Sequence, residues 1–194
     1  MNESINEYLL VIQPNEDVCE KIMTLKQHFS TNYQCPQALH LKPQISLLKF
    51  CHYELSESRF VNRFRNIAMV NAPFKITLND FGSYPSHTIY ANIQTTNQLT
   101  ELSKELKQVQ AFIKPDKQHM PHYITEPIIS IAHKLLPWQY ERGWLELSNT
   151  HFNASFTVNE LLLLKRKEGT NGYKMLERLP LLSQVKKLEQ ASMF

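Results

Sequence analysis

Glycine is scarce in this chain, and long apolar runs do not occur in it. The 194 residues include only four glycines, Gly82, Gly143, Gly169 and Gly172. They are too widely spaced to form a glycine-rich phosphate loop or a dinucleotide-binding fingerprint. No stretch approaches the ~20 consecutive apolar residues that a membrane-spanning helix requires. The sequence therefore argues against P-loop and dinucleotide-fold proteins, and it predicts a protein without a membrane span.

Cysteine is also rare, with Cys19, Cys35 and Cys51 as the three examples. An odd number at wide spacing argues against a disulfide framework and against a zinc site. Small buried thiols in a reducing compartment are the expected role for such residues. Residues 1–4 are polar and include an acid, which is not the pattern of a signal peptide. We therefore expect a cytoplasmic protein.

The overall composition is that of a globular protein with a weak positive charge. Hydrophobic residues make up 42% of the chain and charged residues 20%, and the formal net charge is +3. A chain of this length buries a sizeable core without cross-links. The charge permits a polyanionic ligand but does not require one, because the basic residues are scattered rather than gathered into a stripe.

Short apolar runs alternate with segments of helical periodicity along the chain. Strands are predicted near residues 8–12, 40–52, 74–78, 88–93, 128–135, 152–165 and 173–179. Helices are predicted near residues 15–29, 56–67, 97–112 and 137–147, with a frayed helix over 182–194. The order βαβαββ followed by αβαββ nearly repeats itself and predicts an α+β fold.

A short motif supports this internal repeat. Residues 43–50 and residues 127–135 both begin Pro-x-Ile-Ser followed by an apolar residue, and Ser46 and Ser130 are 84 residues apart. Each copy opens a predicted strand that follows a strand and a helix. The recurrence predicts an internal duplication of an α+β half.

The two motif strands resemble the signature strands of the 2H phosphoesterase superfamily, of the 2'-5' RNA ligase and cyclic phosphodiesterase (LigT-like) type. Members carry His-x-Thr or His-x-Ser in each strand, commonly after a proline. The resemblance covers roughly residues 8–180. It implies two similar lobes facing each other across a central cleft, each an antiparallel sheet with helices on its outer face. Residues 1–194 would then form a single bilobal domain.

The resemblance also implies a chemistry. In active members, two histidines act as general base and general acid on a 2',3'-cyclic phosphate or a 2'-5' phosphodiester, and no metal or cofactor is required. Residues i and i+2 of a strand share a face, so each histidine enters the cleft beside its hydroxyl. Imidazole titrates near neutral pH, and hydroxyls donate to phosphate oxygens.

In this sequence the hydroxyls are retained but the histidines are not. Ser46 and Ser130 occupy the phosphate-binding positions, whereas Gln44 and Ile128 stand where the catalytic histidines belong. Glutamine forms hydrogen bonds but has no proton that titrates near neutrality, and isoleucine does neither. Each lost acid or base removes about 10²–10⁴-fold in rate. The standard reaction is therefore predicted to be lost.

Other histidines offer weak substitutes. His122 and His119 lie just before the second motif strand, where a loop would bring either one to the rim of the cleft. His133 lies on that strand but has the opposite parity to Ser130, so alternation predicts that it faces away from the cleft. A metal site formed by His119 and His122 would lack a third ligand at sensible spacing.

Three functions from different classes remain open at this point. The first is a degenerate member that binds a nucleotide, an RNA end, another phosphorylated small molecule or a protein partner. The second is a working phosphodiesterase with a relocated histidine, and the third is a non-catalytic interaction scaffold. The structural alternative for Ser46 and Ser130 is that each simply bonds a neighbouring backbone group, as serines on half-buried strands do. A cleft filled by the side chains of Gln44, Ile128 and their neighbours would favour the scaffold.

Overall fold

Two antiparallel sheets form the framework of the protein. The computed structural model describes residues 5–94 and 97–184. The first sheet contains, in spatial order, β5 (His122–Tyr123), β2 (Ile45–Tyr53), β1 (Ile5–Ile12), β8 (Glu160–Lys167) and β9 (Lys174–Pro180). The second sheet contains β6 (Ile129–His133), β4 (Thr88–Gln94), β3 (Phe74–Tyr84) and β7 (Asn153–Val158). The predicted α+β class and the two antiparallel sheets are confirmed.

The two sheets do not divide the chain into an N-terminal and a C-terminal half. In the first sheet, β1 of the first half pairs with β8 of the second, and β2 pairs with β5. In the second sheet, β3 and β4 are flanked by β7 and β6. The two motif strands, β2 and β6, belong to different sheets. Each lobe therefore contributes one motif strand, but each lobe is built from both halves of the sequence.

The single strand predicted over residues 152–165 is in fact two strands that lie in different sheets. β7 alternates exposed and buried residues, as an edge strand with one buried face does. β8 begins with a continuous buried run over residues 161–163, which suits a strand covered on both faces. The chain changes sheets at Asn159, and no glycine or proline marks the point.

The described residues form five α-helices: α1 (Glu16–Asn32), α2 (Glu57–Val70), α3 (Asn97–Lys107), α4 (Gln110–Ile113) and α5 (Pro137–Leu147). The Asn15 side chain caps α1 by accepting a hydrogen bond from the Val18 amide at 3.3 Å. Ser56, at the start of the helix predicted over 56–67, occupies the N-cap of α2, although its hydroxyl makes no capping bond. The predicted helix over 97–112 is interrupted, because Val109 leaves the helical region. Residues 182–184 are not helical, and the rest of the predicted frayed helix lies outside the described residues.

One large core lies between the sheets and their helices. α2 and α4 pack on the first sheet, and α1 and α5 pack on the second. Along β1, residues Tyr8, Leu10 and Ile12 enter this core, whereas Leu9 and Val11 join Leu162 in a small cluster of their own on the opposite face. We call the faces turned away from the helices the helix-free faces. Among the described helices, none is long and apolar enough to span a membrane.

Candidate functional site on the two motif strands

The first motif strand places its serine on the helix-free face of the first sheet. Ser46 lies opposite Val11 in the β1–β2 ladder, while Ile45 lies opposite Ile12. Because Ile12 and Ile45 are in the main core and Val11 is in the small cluster, Ser46 points to the helix-free face. Gln44 comes two residues before Ser46, is half-buried and falls on that face by the same alternation.

The second motif strand gives the equivalent arrangement in the second sheet. Ser130 pairs with Tyr90, and Ile129 pairs with Ala91. Both Ile129 and Ala91 are fully buried in the main core, so Ser130 lies on the helix-free face. Ile128 immediately precedes the strand and is half-buried. The two serines thus occupy matching faces of the two sheets.

Neither serine hydroxyl has a hydrogen-bond partner within residues 5–94 and 97–184. The Oγ of Ser130 is buried and has no hydrogen-bond partner among the described residues. The hydroxyl of Ser46 likewise makes no hydrogen bond within the described ranges. A buried polar group without a partner costs about 1–3 kcal/mol, so proteins seldom leave one without a reason. In the part of the chain that the structure describes, neither serine bonds a neighbouring backbone group through its hydroxyl.

His122 and His119 occupy different environments. His122 lies opposite Lys49 in the β2–β5 ladder, which puts it on the helix-free face of the first sheet, where it is exposed. His119 is held by Asp116, with 2.8 Å between its Nδ1 and Oδ2, and its Nε2 lies 3.8 Å from Glu168. Within the described residues, no three metal-ligating side chains come together. His122 is therefore free to meet a ligand, whereas His119 is engaged by acids.

The prediction that His133 faces away from Ser130 is wrong. The ladder pairs Ser130 with Tyr90 but His133 with Thr88, and a register shift falls between these pairs. Thr88 and Tyr90 share a face, so the shift returns His133 to the face of Ser130. A β-bulge adds one residue to a strand and has no recognisable sequence signal here. The prediction from strict alternation of faces was therefore wrong for His133. Burial and the nearby charge of Lys26 lower the pKa of His133.

Sequence reasoning missed a charged cluster on the helix-free face of the first sheet. The Glu7 carboxylate accepts a hydrogen bond from the Tyr173 hydroxyl and pairs with Lys49 Nζ at 3.0 Å and with Arg166 at 2.5 Å. The Arg166 guanidinium lies 4.6 Å from the centroid of the Tyr173 ring. We call these four residues the Glu7 cluster. The one available signal was the position of an acid directly before the apolar run over residues 8–12, because an acid that is buried in a strand is paired.

The hydrogen-bond and charge partners of Glu7 lower its pKa by more than its burial raises it. Burial alone would raise the pKa of Glu7, but hydrogen bonds from Tyr173 and Lys49 and the charges of Lys49 and Arg166 lower it below 4.5. The Glu7 side chain is nearly inaccessible, and it remains ionised because two cations surround it. The cluster as a whole carries one excess positive charge.

Replacing Glu7 by glutamine is expected to destabilise the protein in a pH-dependent way. At neutral pH the loss is about 1.5–3 kcal/mol, the worth of hydrogen bonds to a charged group. A carboxylate whose pKa is lower in the folded state contributes stability above 4.5, and that stability is lost as the pH falls through the folded-state value. Urea unfolding of wild type and Glu7→Gln across the acid range measures this.

The exposed pair of Glu101 and Lys104 supplies the control for this measurement. Glu101→Gln should change the unfolding free energy by less than about 1 kcal/mol, because exposed ion pairs contribute little. If the difference between wild type and Glu7→Gln stays constant as the pH falls below 4.5, the ionised state assigned to Glu7 is incorrect.

Solved structures of distant sequence share this fold. Escherichia coli LigT in complex with 3'-AMP matches with a TM-score of 0.64 at 17% identity, covering 91% of this chain and 98% of that chain. The same protein in complex with NADP+ matches with a TM-score of 0.63 at 18% identity, covering 92% and 99%. A Thermus thermophilus protein matches with a TM-score of 0.61 at 14% identity, covering 92% and 100%. At these identities the likeness establishes the fold alone.

The sequence comparison gives the family. No curated protein matches the chain significantly. The family model described as the 2'-5' RNA ligase superfamily matches residues 14–170, which is most of the chain and includes both motif strands. The fold and the family model agree with the 2H phosphoesterase resemblance of the motif strands. This chain therefore belongs to the 2'-5' RNA ligase superfamily.

Proposed function

We propose that this member of the superfamily binds a phosphorylated ligand in its cleft and no longer performs the two-histidine reaction. The observation that carries the proposal is the pair of serine hydroxyls, Ser46 and Ser130, at matching positions of two strands and without partners among the described residues. A phosphate group has the oxygen acceptors that two such donors need. Gln44 adds an amide donor beside Ser46.

The expected ligand class is a nucleotide, an RNA end or another phosphorylated small molecule. Crystals of Escherichia coli LigT hold 3'-AMP and NADP+, so the fold accommodates such molecules in a relative. Here the phosphate would be held by the serines of the two lobes and would bridge them. A cleft that serves only as a protein-interaction scaffold is the alternative, and it predicts no affinity for nucleotides.

Loss of the reaction follows from the side chains at the two acid and base positions. Gln44 cannot accept or release a proton near neutral pH, and Ile128 offers no polar atom at all. The serine hydroxyls stabilise charge on a phosphate but leave the attacking and leaving oxygens without proton transfer. Binding is therefore retained while turnover is lost.

Substituting the serines is expected to weaken binding of 3'-AMP. Each hydrogen bond to a charged phosphate is worth about 1.5–3 kcal/mol, so Ser46→Ala and Ser130→Ala should each weaken binding about tenfold or more. Isothermal titration calorimetry with 3'-AMP measures the effect. Ser155→Ala is the matched control, because Ser155 is an exposed serine on β7, and it should leave the affinity unchanged.

Measurements on the wild-type protein and its variants also distinguish the proposed function from the two alternative functions. A wild-type protein that binds neither 3'-AMP nor inorganic phosphate would overturn the proposal and favour the scaffold. Hydrolysis of 2',3'-cyclic AMP by the wild type at the rate of an active relative would favour the second candidate, a phosphodiesterase with a relocated histidine. That candidate rests on the positions of His122 and His133 on helix-free faces. Loss of the activity in His122→Ala or His133→Ala would then identify the group.

A further inference from the structure

The Glu7 cluster lies on the same face as Ser46, farther along the first sheet. Along β1, Val11 is opposite Ser46, Leu9 is opposite Lys49, and Glu7 is opposite Arg166 of the other neighbouring strand. These β1 positions are two residues apart and share one face. Measured along β1 at about 3.4 Å per residue, the Lys49 position lies roughly 7 Å and the Arg166 position roughly 14 Å from the Ser46 position.

The cations of the cluster are fixed and remain available. The Glu7 side chain is 9% exposed, and its carboxylate is fully used by Lys49, Arg166 and Tyr173. The Lys49 side chain is 44% exposed, so its ammonium retains a solvent-facing side. The Arg166 side chain is 23% exposed, although its Nε is buried. Glu7 thus acts as an anchor that holds two cations in place, and the excess positive charge faces outward.

Positive charge continues beyond Arg166 into a hollow at the β8–β9 hairpin. This hollow of about 340 Å³ is lined by Arg166, Lys167, Thr170, Asn171, Lys174 and others, and none of its lining residues is acidic. Lys167 and Lys174 form no ion pair with any described residue. Its volume lies at the lower end of the range of small-molecule sites.

We propose that the Glu7 cluster and this hollow form a second anion subsite, which binds two further phosphates of a single-stranded oligonucleotide whose terminal phosphate lies at Ser46 and Ser130. The inference rests on the proposed function, because it takes the serine site as the position of the terminal phosphate. Fixed cations beside an aromatic ring suit a nucleic-acid strand, whose phosphates need charge and whose bases stack. The preferred ligand is then an oligonucleotide rather than a mononucleotide.

The test compares two ligands, 3'-AMP and a 3'-phosphorylated tetra-adenylate RNA. Wild type should bind the tetranucleotide at least about tenfold more tightly, because two additional charge-assisted contacts are made. The double variant Lys49→Ala/Arg166→Ala should lose most of this advantage and keep its affinity for 3'-AMP within about twofold. The slope of log K against log salt for the tetranucleotide should fall by about 1.4, or 0.7 for each phosphate contact.

A matched control removes the same two residue types elsewhere. Lys21→Ala/Arg142→Ala deletes one lysine and one arginine that are exposed on α1 and α5, and it should preserve the advantage of the tetranucleotide. If the double variant does not fold, Lys49→Gln alone is the milder variant. Its slope of log K against log salt for the tetranucleotide should be lower than that of the wild type by about 0.7.

The outcomes separate the two proposals. Equal affinity of wild type for 3'-AMP and the tetranucleotide, with 3'-AMP bound through the serines, would overturn the second subsite alone. An advantage of the tetranucleotide that survives in the double variant would also overturn it. Failure to bind 3'-AMP would overturn the serine site, and tetranucleotide binding that still depends on Lys49 and Arg166 would support the cluster independently.

Discussion

Restoring histidine at positions 44 and 128 together is expected to raise hydrolysis of 2',3'-cyclic AMP by about 10⁴-fold or more over the wild type. A positioned general acid or base contributes about 10²–10⁴-fold, and Gln44→His/Ile128→His supplies one of each beside Ser46 and Ser130. The ladders place both serines on helix-free faces, so each new imidazole would stand two residues from a hydroxyl on the same face. Steady-state measurement of kcat/KM checks this.

The single variants and a serine variant are the controls for this gain. Gln44→His or Ile128→His alone should recover far less, because a base without an acid completes only half of the proton transfer. Adding Ser130→Ala to the double variant should reduce its kcat/KM by tenfold or more. A double variant that gains nothing, although it folds and binds 3'-AMP, would show that positions 44 and 128 are not the acid and base positions.

The largest effect on stability is expected at the contact between α1 and α5. Phe29 is 1% exposed, and a Cβ at Gly143 would lie 2.3 Å from its ring. Phe29→Ala should lower the free energy of unfolding by about 3–5 kcal/mol, because it leaves a cavity in the main core. Gly143→Ala should lower it by about 1–3 kcal/mol through overpacking, even though alanine is the better helix former. Urea unfolding measures both.

Combining the two substitutions distinguishes this contact from a general loss of packing. In the Phe29→Ala background the ring is gone, so Gly143→Ala should become stabilising by up to about 1 kcal/mol through helix propensity. The sign of the effect of one substitution thus depends on the other, which is strong coupling between neighbours. Simple additivity of the two losses would rule out the direct contact.

Local signals in the sequence predicted many elements of the fold. α5 runs from Pro137 to Leu147 as predicted, because proline suits the first turn of a helix and the apolar periodicity ends at Leu147. Gly169 and Gly172 lie between the strands predicted near 152–165 and 173–179, and both have the positive φ that favours glycine in a turn. These features are determined by residues that are close together in the chain. They can therefore be predicted from the sequence without knowledge of the tertiary fold.

Features that depend on distant residues were not predictable in the same way. β5 has two residues, too few for any periodicity, and it exists because it pairs with β2. The bulge that turns His133 to the face of Ser130 leaves no trace in the alternation. The Glu7 cluster joins positions separated by more than a hundred residues, and only the tertiary fold brings them together. For the site, the sequence indicated Ser46 and Ser130, whereas the cations on the same face as Ser46 became apparent only from the pairing of the first sheet.

The pairing of β1 with β8 also bears on how the protein reaches its folded state. Leu9 at the start of the chain lies opposite Leu164, so the first sheet cannot close until the C-terminal part of the chain has been synthesised. During synthesis, β1 and β2 would expose an unpaired edge and the apolar face of Leu9 and Val11. Such long-range pairing slows folding and favours transient association. Because each lobe contains strands from both halves of the sequence, we expect that neither half folds separately.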